Sequence, residues 1–228
     1  MSIPRLFPLA VLLFTTPVAA QEVGGAWTFG PDAEEPPSSS GFGSSITGTF
    51  DYDLDGVGDL VIGTWVTNGR FFVSSGADGT ILEEVFLPRS GMGWDSAGIP
   101  DINQDGTNDF IVTSGFASAA GADVYFYSGR DLTILHTIVG ADYGGSLGFG
   151  WRVGIAGDTD GDGVDDYYIS DADFTDPVDG SEGAVFLFSG TDLSLLLRID
   201  NPGGGGLGRF VAPLGDVNDD GCADLAAS

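Results

Sequence analysis

Several residue types are scarce in this chain of 228 residues. It has no lysine, so all seven basic residues are arginines, and it has one histidine (His136) and one cysteine (Cys222). A lone cysteine excludes an internal disulfide, so stability in an oxidising compartment needs another source. Against 34 acidic residues the formal net charge is -27. Such a polyanion repels nucleic acid and anionic membranes, and we expect neither as a partner.

The first forty residues are predicted to be a leader. Arg5 precedes the short apolar stretch Leu6–Phe14, and the small residues Val18–Ala20 precede Gln21. This order is typical of a secretory signal peptide at 1–20; a membrane anchor is the alternative. Residues 21–40 are rich in Pro, Ser and Gly and are predicted to be flexible. No later run is long enough to cross a bilayer. The chain is therefore predicted to be secreted or at the cell surface, without a membrane span after cleavage.

The most informative feature is a nine-residue pattern, Asp-x-Asp/Asn-x-Asp-Gly-x-x-Asp, which occurs four times. Oxygen-bearing side chains at positions 1, 3, 5 and 9 surround a Gly at position 6 that permits a sharp turn. Ca²⁺ takes about six to eight oxygen ligands in irregular geometry, whereas Mg²⁺ prefers a tighter octahedron. The pattern therefore predicts about four structural Ca²⁺ ions, each also bound by the backbone carbonyl of position 7.

The predicted ligands in the four loops are Asp51, Asp53, Asp55, Val57 and Asp59; Asp101, Asn103, Asp105, Thr107 and Asp109; Asp158, Asp160, Asp162, Val164 and Asp166; and Asp216, Asn218, Asp220, Cys222 and Asp224. Cys222 stands at the variable position 7, so its thiol is predicted to be a bystander. An EF-hand would place a Glu at position 12 and helices on both sides. Here position 12 is apolar in every copy and a strand-like run begins after position 9, so we expect a loop inside a β-hairpin.

The loops also mark a repeat. Their first residues lie at positions 51, 101, 158 and 216, at intervals of 50, 57 and 58 residues, and a Gly-x-Gly begins ten residues before each. A large apolar residue between two glycines predicts a buried plug. After each of the first three loops, Ser-Gly-x-Asp separates two β-branched or aromatic runs, which predicts a hairpin.

Together these runs give four strands per period, which is typical of a propeller blade. The predicted fold class is all-β, with β-propeller blades of four antiparallel strands and almost no helix. About 3.5 blades are present, at 41–90, 91–147, 148–205 and an incomplete 206–228, so we expect a fragment of a seven-bladed propeller. The rest of a longer propeller chain is an expected partner.

The order Gly-Phe-Gly, ten-residue step, Asp-rich loop, apolar strand and hairpin resembles the FG-GAP repeat of integrin α chains and bacterial secreted proteins. Gly41-Phe42-Gly43 and Gly148-Phe149-Gly150 match its first half, while Met92 and Leu207 replace Phe elsewhere. The resemblance covers about residues 41–228. It implies a seven-bladed propeller whose calcium loops lie between the first two strands of a blade and are structural.

No catalytic motif is present. The chain has no GxSxG, HExxH or phosphate-binding loop, and we expect no enzyme activity. His136 is predicted to face outward from a strand. Trp94 and Trp151 are predicted to pack between blades, with a carbohydrate-stacking platform as the alternative. The predicted function is a binding or adhesion module for proteins or surface glycans. The alternatives are an accessory propeller of a larger secreted enzyme and a carbohydrate-binding module.

Overall fold

The computed structural model describes residues 41–64, 69–86, 92–115, 122–176, 178, 180, 182–201 and 205–228. The predicted signal peptide and leader lie outside the described residues. Within the described ranges there are fourteen β-strands and one short 3-10 helix, Gly140–Tyr143. None of the helical structure described here is long and apolar enough to cross a membrane. The all-β prediction is confirmed.

The strands form successive antiparallel sheets in which sequence order is also spatial order. Blade 1 contains β1 (Ile46–Phe50), β2 (Asp59–Thr64), β3 (Arg70–Ser74) and β4 (Ile81–Phe86). Blade 2 contains β5 (Met92–Ile99), β6 (Asp109–Ser114), β7 (Asp123–Tyr127) and β8 (Ile134–Val139). Blade 3 contains β9 (Phe149–Gly157), β10 (Asp166–Thr175), β11 (Glu182–Phe188) and β12 (Leu195–Asp200). In the fourth sheet, blade 4, the described residues form β13 (Val211–Gly215) and β14 (Asp224–Ala227).

The burial of each strand follows from its place in the sheet. The central strands β6 and β7 are buried at every residue, and their β-branched and aromatic side chains pack on both faces of the sheet. The fourth strands are mostly exposed, and β4 and β8 bury only one face in part. The first strands β1, β5, β9 and β13 lie against one another in series, so they are the inner strands of their blades. The blade prediction is therefore confirmed by the sheets themselves.

The hydrophobic core lies between blades. Between blades 1 and 2, Phe50 and Phe71 pack on Phe110, and their ring centroids lie 5.1 and 5.6 Å, respectively, from that of Phe110. Between blades 2 and 3, Phe126 meets Tyr167 edge to face at 5.3 Å. A smaller cluster joins blade 3 to blade 4. Because each core needs two neighbouring sheets, a blade cannot bury its apolar faces alone.

The Gly-x-Gly segments bring consecutive blades close together. The second glycine has a positive φ in every copy, for example 83° at Gly93 and 98° at Gly208. A Cβ on Gly93 would lie 2.5 Å from the Thr64 nitrogen of blade 1, so only glycine fits there. The predicted buried plug is right for Phe149, which is fully buried, but Phe42 and Leu207 are only half-buried.

Candidate metal centres

Each Asp-rich loop joins the first two strands of its blade, as predicted. The loop curls in the same way four times, because the carboxylate at position 1 accepts the N–H groups of positions 5 and 6. In the first loop, Asp51 accepts from Asp55 at 3.0 Å and from Gly56 at 2.9 Å. The same pairs in the other loops span 2.8–3.1 Å. Position 4, where the pattern allows any residue, has a left-handed φ in every loop, between 61° at Leu54 and 81° at Gly161.

The side-chain oxygen at position 3 completes the curl. Asp53 accepts the N–H of Asp55 at 3.1 Å, and Asn103 accepts that of Asp105 at 3.0 Å. An Asn oxygen therefore replaces a carboxylate oxygen without changing the hydrogen bond. This explains why the repeat has either residue at position 3.

Three carboxylates converge in two of the four loops. Ligand atoms of Asp51, Asp53 and Asp59 lie within 4.8 Å of one another, and so do those of Asp158, Asp160 and Asp166. These loops carry Asp at position 3, whereas loops 2 and 4 carry Asn103 and Asn218. The donors are all hard oxygens, a set suited to Ca²⁺ or Mg²⁺. The two acidic clusters can hold a metal ion.

The electrostatics of the first loop favour a cation. The pKa of Asp53 is raised, first by desolvation and then by the negative charges of Asp55, Asp59 and Asp51, although a backbone hydrogen bond opposes the shift. A bound cation would relieve this repulsion.

Position 5 has a second task in every loop. One carboxylate oxygen of Asp55 accepts the N–H of Val57 at 2.7 Å, and Asp220 does the same for Cys222 at 2.9 Å. In two blades the other oxygen meets a hydroxyl from the following hairpin turn. Ser128 donates to Asp105 at 3.1 Å, and Thr191 donates to Asp162 at 2.7 Å. The structure does not place position 5, Asp55 or Asp162, in either three-carboxylate cluster.

Position 9 is the buried anchor of the loop. Asp59, Asp109 and Asp166 are each 0% exposed. One oxygen of Asp109 accepts the Ile102 N–H at 2.8 Å, and the other accepts the Gly129 N–H at 3.0 Å. Burial raises the pKa of Asp109, in opposition to these two bonds. The carboxylate thus joins its own loop to the turn between the third and fourth strands.

This link to the Ser-Gly turn was not predicted. Gly76 and Gly190 repeat the bond, donating to Asp59 and Asp166 at 3.0 and 2.9 Å. A Cβ on Gly129 would lie 2.0 Å from the Asn108 carbonyl oxygen at position 8, which excludes any larger residue. The sequence signal was the recurrence of Ser-Gly after each loop, but it indicated only a hairpin turn.

The fourth loop differs at this anchor. One oxygen of Asp224 accepts the Val217 N–H at 3.0 Å, as the pattern requires. The other lies 3.5 Å from the Asn218 side-chain nitrogen, and none of the turns in the described residues supplies a glycine N–H to it. This loop contacts the third loop, because the Ala223 N–H donates to the Asp158 carbonyl at 2.7 Å.

The remaining sequence candidates have structural positions. The rings of Trp94 and Trp151 lie 5.1 Å apart, and the Arg209 guanidinium lies 5.7 Å from the Trp151 ring. Trp94 lies near the start of β5 in blade 2, and Trp151 lies near the start of β9 in blade 3. Arg209 lies just before β13 of blade 4. The prediction that the tryptophans pack between blades is confirmed. His136 is exposed on β8, as predicted.

Comparison with known proteins adds little. No family model matches the chain. Among solved structures, it is similar to the crystal structure of BBS1N in complex with ARL6DN, soaked with lead, with 12% sequence identity and a TM-score of 0.29. The match covers 69% of this chain, which spans about half (54%) of that chain. The likeness is too weak to carry an argument. The protein is an all-β chain of propeller-type blades with two acidic clusters that can hold a metal.

Proposed function

We propose that this protein is an exported, calcium-stabilised β-propeller segment that acts as a binding module for other proteins in adhesion or in assembly of the cell envelope. The observation that carries the proposal is the convergence of three carboxylates in loops 1 and 3. These all-oxygen sites lie in loops that join paired strands of one sheet, so a bound metal would fasten the two strands together. The resemblance to FG-GAP repeats supports the same structural role for all four loops.

The stabilising effect of calcium follows from mass action. At about 1 mM calcium and a dissociation constant of about 0.1 mM, each site contributes roughly 1.4 kcal/mol. Two sites contribute about 3 kcal/mol and four about 6 kcal/mol, a large part of the stability of a domain. The protein has one free cysteine, Cys222, and so gains no stability from an internal disulfide.

A calcium titration tests this proposal. The melting temperature of the protein should rise with calcium, rise less with magnesium at equal concentration, and fall on chelation. Asp158→Ala should reduce the calcium-dependent rise, because it removes a ligand and the carboxylate that accepts the N–H groups of Gly161, Asp162 and Gly163. Asp142→Asn is the control, because Asp142 is exposed and lies outside the loops. Calcium should raise the melting temperature of this variant as much as that of the parent protein. Equal melting curves in calcium and chelator would sink the calcium proposal.

The choice of a protein as partner over a glycan comes from the tryptophans. Trp94 and Trp151 are half-buried and pack on each other, so their rings do not form an open platform for a sugar. A glycan array probed in calcium and in chelator is expected to show no signal, and calcium-dependent binding to a glycan would favour the carbohydrate-binding alternative. The accessory role in a larger secreted enzyme would be favoured by an activity that depends on this segment.

A further inference from the structure

Loop 2 differs from loops 1 and 3 in the charge that it presents to a cation. Loops 1 and 3 carry Asp at positions 1, 3, 5 and 9, whereas loop 2 has three carboxylates, because Asn103 stands at position 3. Among the described residues, which include all of loop 2, a three-carboxylate cluster forms in loops 1 and 3 and not in loop 2. The affinity of such loops for Ca²⁺ depends on the number of charged ligands, so loop 2 attracts the ion less strongly.

The hairpin turn that follows loop 2 adds a positive charge. In the three Ser-Gly-x-Asp turns, the residue after the glycine is Ala77 in blade 1, Arg130 in blade 2 and Thr191 in blade 3. The side chain of Arg130 reaches back to loop 2, where a guanidinium nitrogen donates to the backbone carbonyl of Asp105 at 2.9 Å. A fixed cation beside the loop repels a second cation.

The carboxylate of Asp105, at position 5, already has donors on both oxygens. One oxygen accepts the Thr107 N–H at 2.9 Å. The other accepts the side-chain NH₂ of Asn103 at 2.8 Å and the hydroxyl of Ser128 at 3.1 Å. Asp105 is half-buried, whereas Asp55 at the same place in loop 1 is exposed. N–H and O–H groups of the protein therefore hold together the oxygens that a cation would otherwise draw in.

We propose that loop 2 is not a calcium site, and that Arg130, with Asn103 and Ser128, supplies in this loop the positive charge and the donors that calcium supplies in loops 1 and 3. The residues of loop 2 do not fit the ion that the nine-residue pattern and the FG-GAP resemblance imply there. Calcium therefore stabilises blades 1 and 3 but not blade 2. The inference rests on the proposed calcium binding of loops 1 and 3, and it states which feature of loop 2 prevents the same binding.

A calcium titration followed by nuclear magnetic resonance tests each loop separately. The amide of the position-6 glycine is the probe, because this N–H donates to the position-1 carboxylate in every loop. In the whole protein, the Gly56 and Gly163 signals should shift and saturate while Gly106 is unchanged. A response of Gly106 should need at least about tenfold more calcium, since loop 2 has one negative charge fewer and one positive charge more. A shift of Gly106 in step with the other two glycines overturns the inference.

Two substitutions give loop 2 the charges of loop 1. Asn103→Asp restores the fourth carboxylate, and Arg130→Ala places the residue of the first turn in the second. The protein that carries both should shift at Gly106 in the calcium range of loop 1, and it should bind an additional ion in equilibrium dialysis. Arg209→Ala, which removes an exposed arginine before β13, is the control and should leave Gly106 unresponsive. A doubly substituted protein whose loop 2 still ignores calcium overturns the inference.

Hydrogen exchange in excess chelator tests the closure of loop 2 without calcium. The Thr107 amide should exchange at least about tenfold more slowly than the Val57 amide at the same place in loop 1, because the acceptor of Thr107 is held by further donors. The double substitution should remove most of this difference. Equal exchange of the two amides, or a difference that the double substitution leaves intact, overturns the inference. If no loop responds to calcium while the exchange rates differ as expected, the calcium proposal is wrong and the closure of loop 2 by Arg130 and Asn103 stands.

Discussion

At the scale of single residues, the position-9 aspartate and the position-3 residue illustrate two different demands on an acidic side chain. Asp59 is buried and accepts backbone N–H groups from Tyr52 at 2.7 Å and from Gly76 at 3.0 Å. Asp53 is exposed and accepts one N–H inside its loop. Position 9 therefore needs a side chain with two acceptor oxygens, whereas position 3 needs only one.

We therefore expect Asp59→Asn and Asp53→Asn to differ when metal is absent. The amide introduced by Asp59→Asn would turn its NH₂ toward one backbone donor, leaving a buried donor unpaired at a cost of about 1–3 kcal/mol in free energy of unfolding. The Asp53→Asn change preserves an acceptor for the Asp55 N–H, as Asn103 does for Asp105 in loop 2, so its effect should stay within about 0.5 kcal/mol.

Urea denaturation in excess chelator measures both values. The two proteins carry the same change of charge in the same loop, so each is the control for the other. Equal destabilisation by the two substitutions would show that charge, and not the two-oxygen acceptor, governs the anchor.

The sequence predicted the residues of the loop but not which hydrogen bonds each of them makes. The offsets of Asp51, Asp53 and Asp59 are local, and a pattern of nine residues is enough to recognise them. The bonds from Gly76, Gly129 and Gly190 span 17 to 24 residues and depend on how the second hairpin folds back onto the loop. The recurring Ser-Gly after each loop marks the turn but does not show that the turn contacts the loop.

At the scale of strands, the inner strands of neighbouring blades also contact each other through polar groups, in addition to the apolar cores. Asp95 on β5 accepts the Val153 N–H of β9 at 3.1 Å, although the two residues are 58 positions apart. Arg152 on β9 and Tyr168 on β10 are the other ionisable groups that face it. Burial raises the pKa of Asp95 to about 6, more than the hydrogen bond and Arg152 lower it.

This shift predicts that Asp95 lowers the free energy of unfolding in a pH-dependent way. Above pH 6 its carboxyl is charged in both the folded and the unfolded protein, and the buried charge destabilises the folded protein. As the pH falls from about 6 toward 3.8, the folded protein binds the proton first and that cost disappears. Asp95→Asn, which retains an acceptor for Val153, should therefore raise the free energy of unfolding at pH 7 by on the order of 2 kcal/mol, and the gain should vanish near pH 4.

Denaturation of parent and Asp95→Asn proteins across this range, in chelator, checks the prediction. Titration of the loop carboxylates is common to both proteins and cancels in the difference. If the difference in free energy of unfolding between the two proteins were constant with pH, the prediction that Asp95 titrates in this range would be wrong.

The strands themselves were predictable from local patterns, whereas the burial of the Gly-x-Gly segments between blades was predictable only in part. Alternating apolar runs and turn residues located the hairpins, and the Gly-x-Gly spacing located the start of each blade. The burial of the apolar residue between the glycines depends instead on the neighbouring blade. Phe149 enters the core between blades 2 and 3, while Phe42 meets Phe72 of its own blade and remains half-exposed.

At the scale of the whole molecule, the blades form a linear series in which each core is shared by two neighbours. Blades 2 and 3 share the largest core, and their central strands β6, β7, β10 and β11 are almost entirely buried. Blade 4 shares a small cluster with blade 3 and is otherwise exposed. Local stability should therefore fall toward blade 4.

Native-state hydrogen exchange should resolve this gradient. Amides of β6 and β7 should exchange only through global unfolding, with a denaturant dependence equal to that of the whole protein. Amides of β13 and β14 should exchange at least about tenfold faster, through local opening with little denaturant dependence, because their separation exposes little apolar surface.

Since loop 4 joins these two strands, calcium should slow the exchange of their amides. Asp216→Ala should abolish that effect, while the exchange of the β6 amides remains unchanged. Equal protection of β14 and β6 would mean that the molecule unfolds as one cooperative unit, in which the shared cores transmit the stability of blades 2 and 3 to the whole series.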